Sequence, residues 1–271
     1  IFNGSGTNMV NDGPKFVILA ADASIGNNGG RWGMNGGGTV TGAFTLTKVG
    51  NNEIWTSNNN TVSNLVVDAG LYGVQGDNAI NNVTGTVTVN SGAVLGTWTS
   101  RNLNADLVMN DAEFRNLNGA ASTVNLAGTL VLTGTNTFDV NNNITTNISS
   151  DISGTGSVVK QDVGVLNLSG TNTYAGTTAV NAGTLFLTGA HTGGGAYTVA
   201  SAANLGGTGS TDAAVTVAAG GNLAPGVNGI GTLTVTDDTA INGTYTFEIN
   251  GDTSADLLDV TGTVTLGATS V

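Results

Sequence analysis

The chain has 271 residues, of which 9% are charged, 5% are aromatic, 43 are glycine, two are proline and none is cysteine. Its formal net charge is −12 at pH 7, and the six basic residues (Lys15, Arg31, Lys48, Arg101, Arg115, Lys160) are scattered. That scatter argues against nucleic acid or an anionic lipid surface as a partner, because both require clustered Lys and Arg. The low charge and the many Val and Thr residues point to a folded chain rather than a disordered one. Glycine shows no every-third-residue period, so a collagen triple helix is excluded. Aromatic residues are too few for a large globular core, and a thin column of Val, Leu, Ile and Ala spread along a repeating structure fits better.

Along the chain, the apolar run Phe16 to Ala21 is too short to span a membrane and does not read as a secretory signal. Phrases that alternate apolar and polar residues with period two then recur. They are clearest at Thr86–Val89, Thr129–Thr133, Ala214–Val217, Thr232–Thr236, Thr244–Ile249 and Thr263–Leu266. Clusters such as Asn27-Asn28-Gly29-Gly30, Asn58-Asn59-Asn60 and Asn141-Asn142-Asn143 separate them and supply residues that tolerate the backbone of tight corners. No segment sustains a 3.6-residue apolar period, so essentially no α-helix is expected.

Longer stretches repeat. Val40 to Gly70 aligns with Ile152 to Gly183 after one insertion, matching Lys48 to Lys160, Ile54 to Leu166 and Gly70 to Gly183. Ala127 to Val140 is a third, partial copy, and Gly220 to Val235 is a more diverged fourth. Units this short cannot bury a core alone and must stack on their neighbours. With ~20–25 residues per coil and ~4.8 Å per rung, the chain predicts roughly 11–13 coils and a rod on the order of 50–60 Å long. Inward Leu residues (Leu130, Leu166, Leu185, Leu233) are expected to stack in columns, with Thr and Asn forming ladders outside. Residues 1–35 read as less regular coils or a cap, 36–236 as solenoid repeats, and 237–271 as a terminal subregion cut in mid-pattern.

The stretch Val165 to Gly189, VLNLSGTNTYAGTTAVNAGTLFLTG, resembles the autotransporter-associated β-strand repeat, also called the passenger-associated transport repeat. The resemblance implies an all-β chain, a right-handed parallel β-helix, in a single elongated domain of a bacterial surface or secreted protein. It further implies an extracellular location, an adhesive or structural role as stalk or fibre, and an outer-membrane barrel elsewhere in the precursor. Because a scaffold does not dictate function, a glycan- or receptor-binding adhesin module and a polysaccharide-active enzyme stand as alternatives. Self-association with a neighbouring solenoid chain is the expected protein contact.

Few residues suggest chemistry. His191 is the single histidine, and with no cysteine it cannot build the usual zinc sites, so it reads as a loop residue. Asp237-Asp238 is the only consecutive acidic pair, and it reads as a turn rather than as the paired carboxylates of a glycosidase. Hence no catalytic residue is assigned and no enzyme is expected. Asp252, Asp256 and Asp259 form the densest acidic group. They read as a solvated face, with a Ca2+ site as the alternative, since calcium gathers six to eight oxygen ligands. If Leu185 and Leu187 face inward, Phe186 faces out, and by the internal alignment so does Trp55. These two are the candidate ligand-binding residues, either stacking on sugar rings or, in the plainer reading, packing under a nearby loop.

Overall fold

A computed structural model describes residues 16–26, 28–34, 38–57, 59–117, 119–251 and 254–267. Parallel strands wind into a β-solenoid of about 11 turns. One face carries a continuous 12-stranded parallel sheet running from Trp32–Met34 to Val264–Leu266. Partners along this sheet lie from 18 residues apart (Ile54 to Tyr72) to 25 (Ile241 to Leu266), which measures the length of each coil. At ~4.8 Å per rung the rod is on the order of 50 Å long.

Two further faces complete the prism. The first begins as an eight-stranded sheet from Phe16–Ile18 to Ile152–Gly154. It continues as a five-stranded sheet from Thr171–Asn172 to Leu257–Val260, joined by the bond from Thr173 N–H to the Ile152 carbonyl. The third face starts only at Arg101–Leu103. Below it lies Asn78–Asn81, the only helix among the described residues. Asp77 and Asn81 accept the Asn102 and Asn104 backbone N–H groups, so the helical turn seats the first strand of the third sheet. Among the described residues no helix is long and apolar enough to cross a membrane.

The period-two pattern becomes columns. Inward residues of the 12-stranded face stack as Trp32, Ile54, Tyr72, Leu95, Phe114, Phe138, Lys160, Val180, Val199, Val217 and Ile241, with the exposed Leu266 in register on the last rung. The third face stacks Leu166, Leu185, Leu205 and Leu223 in one column and Leu126, Ile148, Leu168 and Leu187 in the next. Burying each of the aliphatic and phenylalanine side chains among these contributes about 1.5–3 kcal/mol. The four leucines named from sequence do not all share a face: Leu166 stacks on Leu185, whereas Leu130 lies on Ile152 and Leu233 beside Leu258. Coil length varies while the repeated phrase does not, so successive copies of the phrase land on different faces.

Outside, the expected polar ladders are present. Asn147 donates to Asn125 and Asn125 to Asn102 on the third face. On the first face Asn110 donates to Asn90 and Asn90 to Asp68. Several acids act as corner ties, accepting the backbone N–H of a threonine one coil later. Asp22 with Thr45, Asp106 with Thr129, Asp111 with Thr135, Asp151 with Thr171 and Asp238 with Thr263 all follow this pattern. Five of the 18 acidic residues are thereby used to hold rungs in register.

The N-terminal region expected to be irregular is described from Phe16 onward, where Phe16–Ile18 and Ala23–Gly26 already pair with Thr39–Val49. Near the other end, an antiparallel pair, Ile249–Asn250 with Ser254–Ala255, interrupts the coil before Leu257–Val260 rejoins the ladder.

Candidate binding groove on the third face

Phe186 lies on the strand Gly183–Leu187, between the buried Leu185 and Leu187, and so projects from the outer surface. Its outward column runs Asn147, Asn167, Phe186, Gly206, Ala224. Beside it runs a second column of Thr145, Val165, Thr184, Asn204, Asn222 and Thr244. Gly206 makes room for the ring: a Cβ there would sit 3.1 Å from Phe186 Cε1 and 2.5 Å from the Ala224 carbonyl oxygen. The 226–230 loop rises over this surface. Reciprocal backbone bonds between Gly207 and Gly226, 2.9 and 2.8 Å long, pin its base.

Sheet and loop enclose two adjoining hollows of about 330 and 300 Å3. Both are lined by Thr184, Phe186 and Asn228, so the phenyl ring stands at their junction. Glu248 and Asp256 close one end, while Thr145, Asn147 and Val227 reach the other. A larger and more open hollow of about 630 Å3 lies beside the short helix, lined by polar groups including Asp77, Asn78 and Arg101. It has no aromatic wall, and the Arg101 guanidinium is bound to the Ser100 and Gln75 carbonyls.

Trp55 occupies an outward register position but is only 1% exposed, so it packs beneath its neighbours, the plainer of the two readings, and is not an open aromatic. Its ring lies over Gly73, where a Cβ would approach within 2.2 Å. Trp98 covers it edge-on at 5.9 Å, and the Arg31 guanidinium sits 4.8 Å from the ring. The indole N–H donates to Glu53 at 3.0 Å. Trp55 also belongs to the 12-stranded face and Phe186 to the third, so the two share no surface. Trp98, at 39% exposure, is the more open member of that tryptophan pair.

The three acids are used differently. Asp256 is buried, and its two oxygens accept the Gly231 and Glu248 backbone N–H groups, each at 2.8 Å. Asp259 is exposed on Leu257–Val260, and Asp252 lies outside the described residues. Among the described residues no three metal-binding side chains gather. His191 is not the loop residue expected: it sits on a strand with no exposure. Its ring stacks on Tyr174 at 4.2 Å and meets Tyr197 edge-on at 5.4 Å, with Nε2 2.9 Å from the Tyr174 carbonyl oxygen. Burial pulls its pKa below the ordinary histidine value.

Two lysines that the sequence aligns also hold matching positions. Lys48 and Lys160 both point inward and are fully buried. The Lys48 ammonium donates to the Val49, Gly50 and Ala69 carbonyls at 3.1, 2.7 and 2.8 Å. That of Lys160 donates to Gln161, Asp162 and Ala182 at 3.0, 2.5 and 3.1 Å. Two of each set belong to the lysine's own corner and the third to the next coil, so each ammonium ties two coils together. Burial lowers both pKa values to about 8.

The passenger-associated-transport-repeat model matches residues 127–139 and 158–187. The chain carries the passenger-associated-transport repeat. Its longer match contains Lys160, Ala182, Gly183 and Phe186, and therefore spans one lysine corner and the aromatic of the groove. The repeat chain is also 41% identical over 99 residues to the adhesin BmaC autotransporter of Brucella suis biovar 1 (strain 1330). That similarity covers 36% of this chain and 3% of the relative, so the chain spans a small part of that protein's length.

Proposed function

We propose that this chain is an adhesive and structural segment of an autotransporter passenger, displayed on a bacterial surface or released from it. The observation that carries the reading is the passenger repeat embedded in a solenoid whose 12-stranded face is continuous. The relative named as an autotransporter adhesin supports it. In this reading the rod holds binding groups away from the cell, and a membrane-embedded barrel belongs to the precursor. Its role is non-catalytic. The acids that would suggest hydrolysis, Asp237 and Asp238, cap their own turn and the Thr263 backbone N–H instead.

The test is surface display of the 271-residue chain on a non-adherent bacterium, scored by attachment to epithelial cells and to immobilised matrix glycoproteins. Attachment above that of cells displaying an unrelated β-solenoid supports the reading. Equal attachment overturns it.

A further inference from the structure

We propose that the groove around Phe186 binds a neutral oligosaccharide chain lying along the solenoid axis. The inference rests on the adhesive reading above and gives it a ligand class and a site. The groove crosses six rungs from Thr145 to Thr246, whose five spacings of ~4.8 Å give roughly 24 Å. It therefore accommodates an extended chain rather than a single small molecule.

The lining chemistry selects the occupant. A pyranose ring offers apolar C–H faces with hydroxyls around its rim, so it needs an aromatic surface flanked by neutral donors and acceptors. Phe186 supplies the apolar surface at the junction of the two hollows. Asn167, Asn204 and Thr184 flank it with amides and a hydroxyl. Asn228, on the overhanging loop, has a positive φ of 55° and no side-chain hydrogen bond among the described residues. Asn167 accepts from Thr188 through Oδ1 and makes no hydrogen bond through its amide nitrogen among the described residues.

Charge narrows the class further. No basic side chain lines either hollow, and Glu248 and Asp256 stand at one end. Uronates, sialylated chains and sulfated glycans would meet repulsion without compensation. A peptide strand is also disfavoured. The strands beneath the groove are paired on both sides, so no sheet edge is open for backbone hydrogen bonding. The loop pinned by Gly207 and Gly226 pre-forms one wall, which lowers the ordering cost of binding.

The test uses the 271-residue chain and saturation-transfer NMR with tetramers of β-1,4-glucose, β-1,4-xylose, β-1,4-mannose and N-acetylglucosamine, alongside polygalacturonate tetramers. Binding of at least one neutral tetramer, with no binding of the uronate, is the expected result. Phe186→Leu keeps apolar bulk over Gly206 and weakens binding by about tenfold or more. Asn228→Ala, on the loop wall and away from the core, weakens it independently. Trp98→Ala, on a different face, leaves it unchanged. Failure of every neutral tetramer to bind overturns the proposal, as does preference for uronate or full binding by Phe186→Leu and Asn228→Ala. If displayed cells attach while neutral tetramers neither bind nor compete, the site assignment fails and the adhesive reading stands. If tetramers bind but displayed cells do not attach, the reverse holds.

Discussion

Lys48 and Lys160, on different faces of the solenoid, hold the same three-carbonyl cage, each reaching the alanine of an (Asp/Asn)-Ala-Gly corner one coil later. The glycines that follow, Gly70 and Gly183, both have φ of 66°. At both, a Cβ would lie 2.5 Å from a carbonyl oxygen of the coil before. A left-handed residue turns the corner tightly enough for the alanine carbonyl to face the ammonium. An ammonium shared by three carbonyls replaces the hydration it loses on burial.

Removing the Lys160 ammonium takes that donor from the Asp162 and Ala182 carbonyls, while the Gln161 carbonyl keeps the Val140 backbone N–H. Lys160→Met preserves the aliphatic length and is expected to cost about 2–4 kcal/mol. Arg115→Ala, which breaks a half-exposed pair with Glu113 and Asp139, is expected to cost less than about 1 kcal/mol. Urea melts followed by circular dichroism check both, using transition midpoints because solenoid unfolding need not be two-state.

Alkaline pH is expected to raise stability and then lower it. Lys48 and Lys160 lose their protons near pH 8 in the folded chain and near 10.5 when unfolded. Between those values the unfolded state binds more protons, so stability rises with pH. Tyr72 is pushed up to about 12 by burial, and Tyr174 and Tyr197 are raised as well. Above pH 10 the folded state therefore holds more protons and stability falls. Thermal melts from pH 7 to 11.5 should pass through a maximum near pH 10, and the rising limb should shrink in Lys160→Met.

Acid acts through His191. Its folded pKa is lowered by burial, so the unfolded chain takes up the proton first as pH drops below about 6.5. Stability contributed by the neutral ring is then lost as the pH falls further. His191→Phe should flatten the change in urea midpoint between pH 7 and pH 5. Asp106, held below the usual carboxylate value by hydrogen bonds from Thr129, adds a second loss at lower pH that this variant leaves intact.

Gly73 serves as the bed of the Trp55 ring. Gly73→Ala places a methyl group 2.2 Å from Trp55 Cδ2, and the cost is expected to be about 1–3 kcal/mol. The displaced indole should shift its fluorescence to the red and become accessible to acrylamide. Gly92→Ala is the wrong control despite the open space around that residue, because its φ is 73°. Gly119→Ala, with nothing near its Cβ, should leave the fluorescence unchanged.

The solenoid was legible because its causes are local. Period-two patterning at Thr129–Thr133 and Thr263–Leu266 reports which side chains face in, and the repeated corner phrases report that coils stack. The Lys48–Lys160 alignment was legible for the same reason, since each cage draws two of its three carbonyls from within two residues of the lysine. The Trp55 site was not, because its cover, Trp98, and its bed, Gly73, lie on other coils. His191 was misread because Ala-His-Thr-Gly-Gly-Gly looks like a loop, while its two tyrosine neighbours come from elsewhere in the stack.

By itself the sequence determined that the chain is all-β, repetitive and solenoidal, and which residue of each strand turns inward, because alternation and turn chemistry act over a few residues. Only the tertiary structure decided which face each strand joins. Coils range from 18 to 25 residues, and that variation carries similar phrases to different sides of the prism. The groove follows from the same accumulation of coil lengths, since Phe186, Gly206 and Asn228 meet only once three coils are stacked and the 226–230 loop folds back over them.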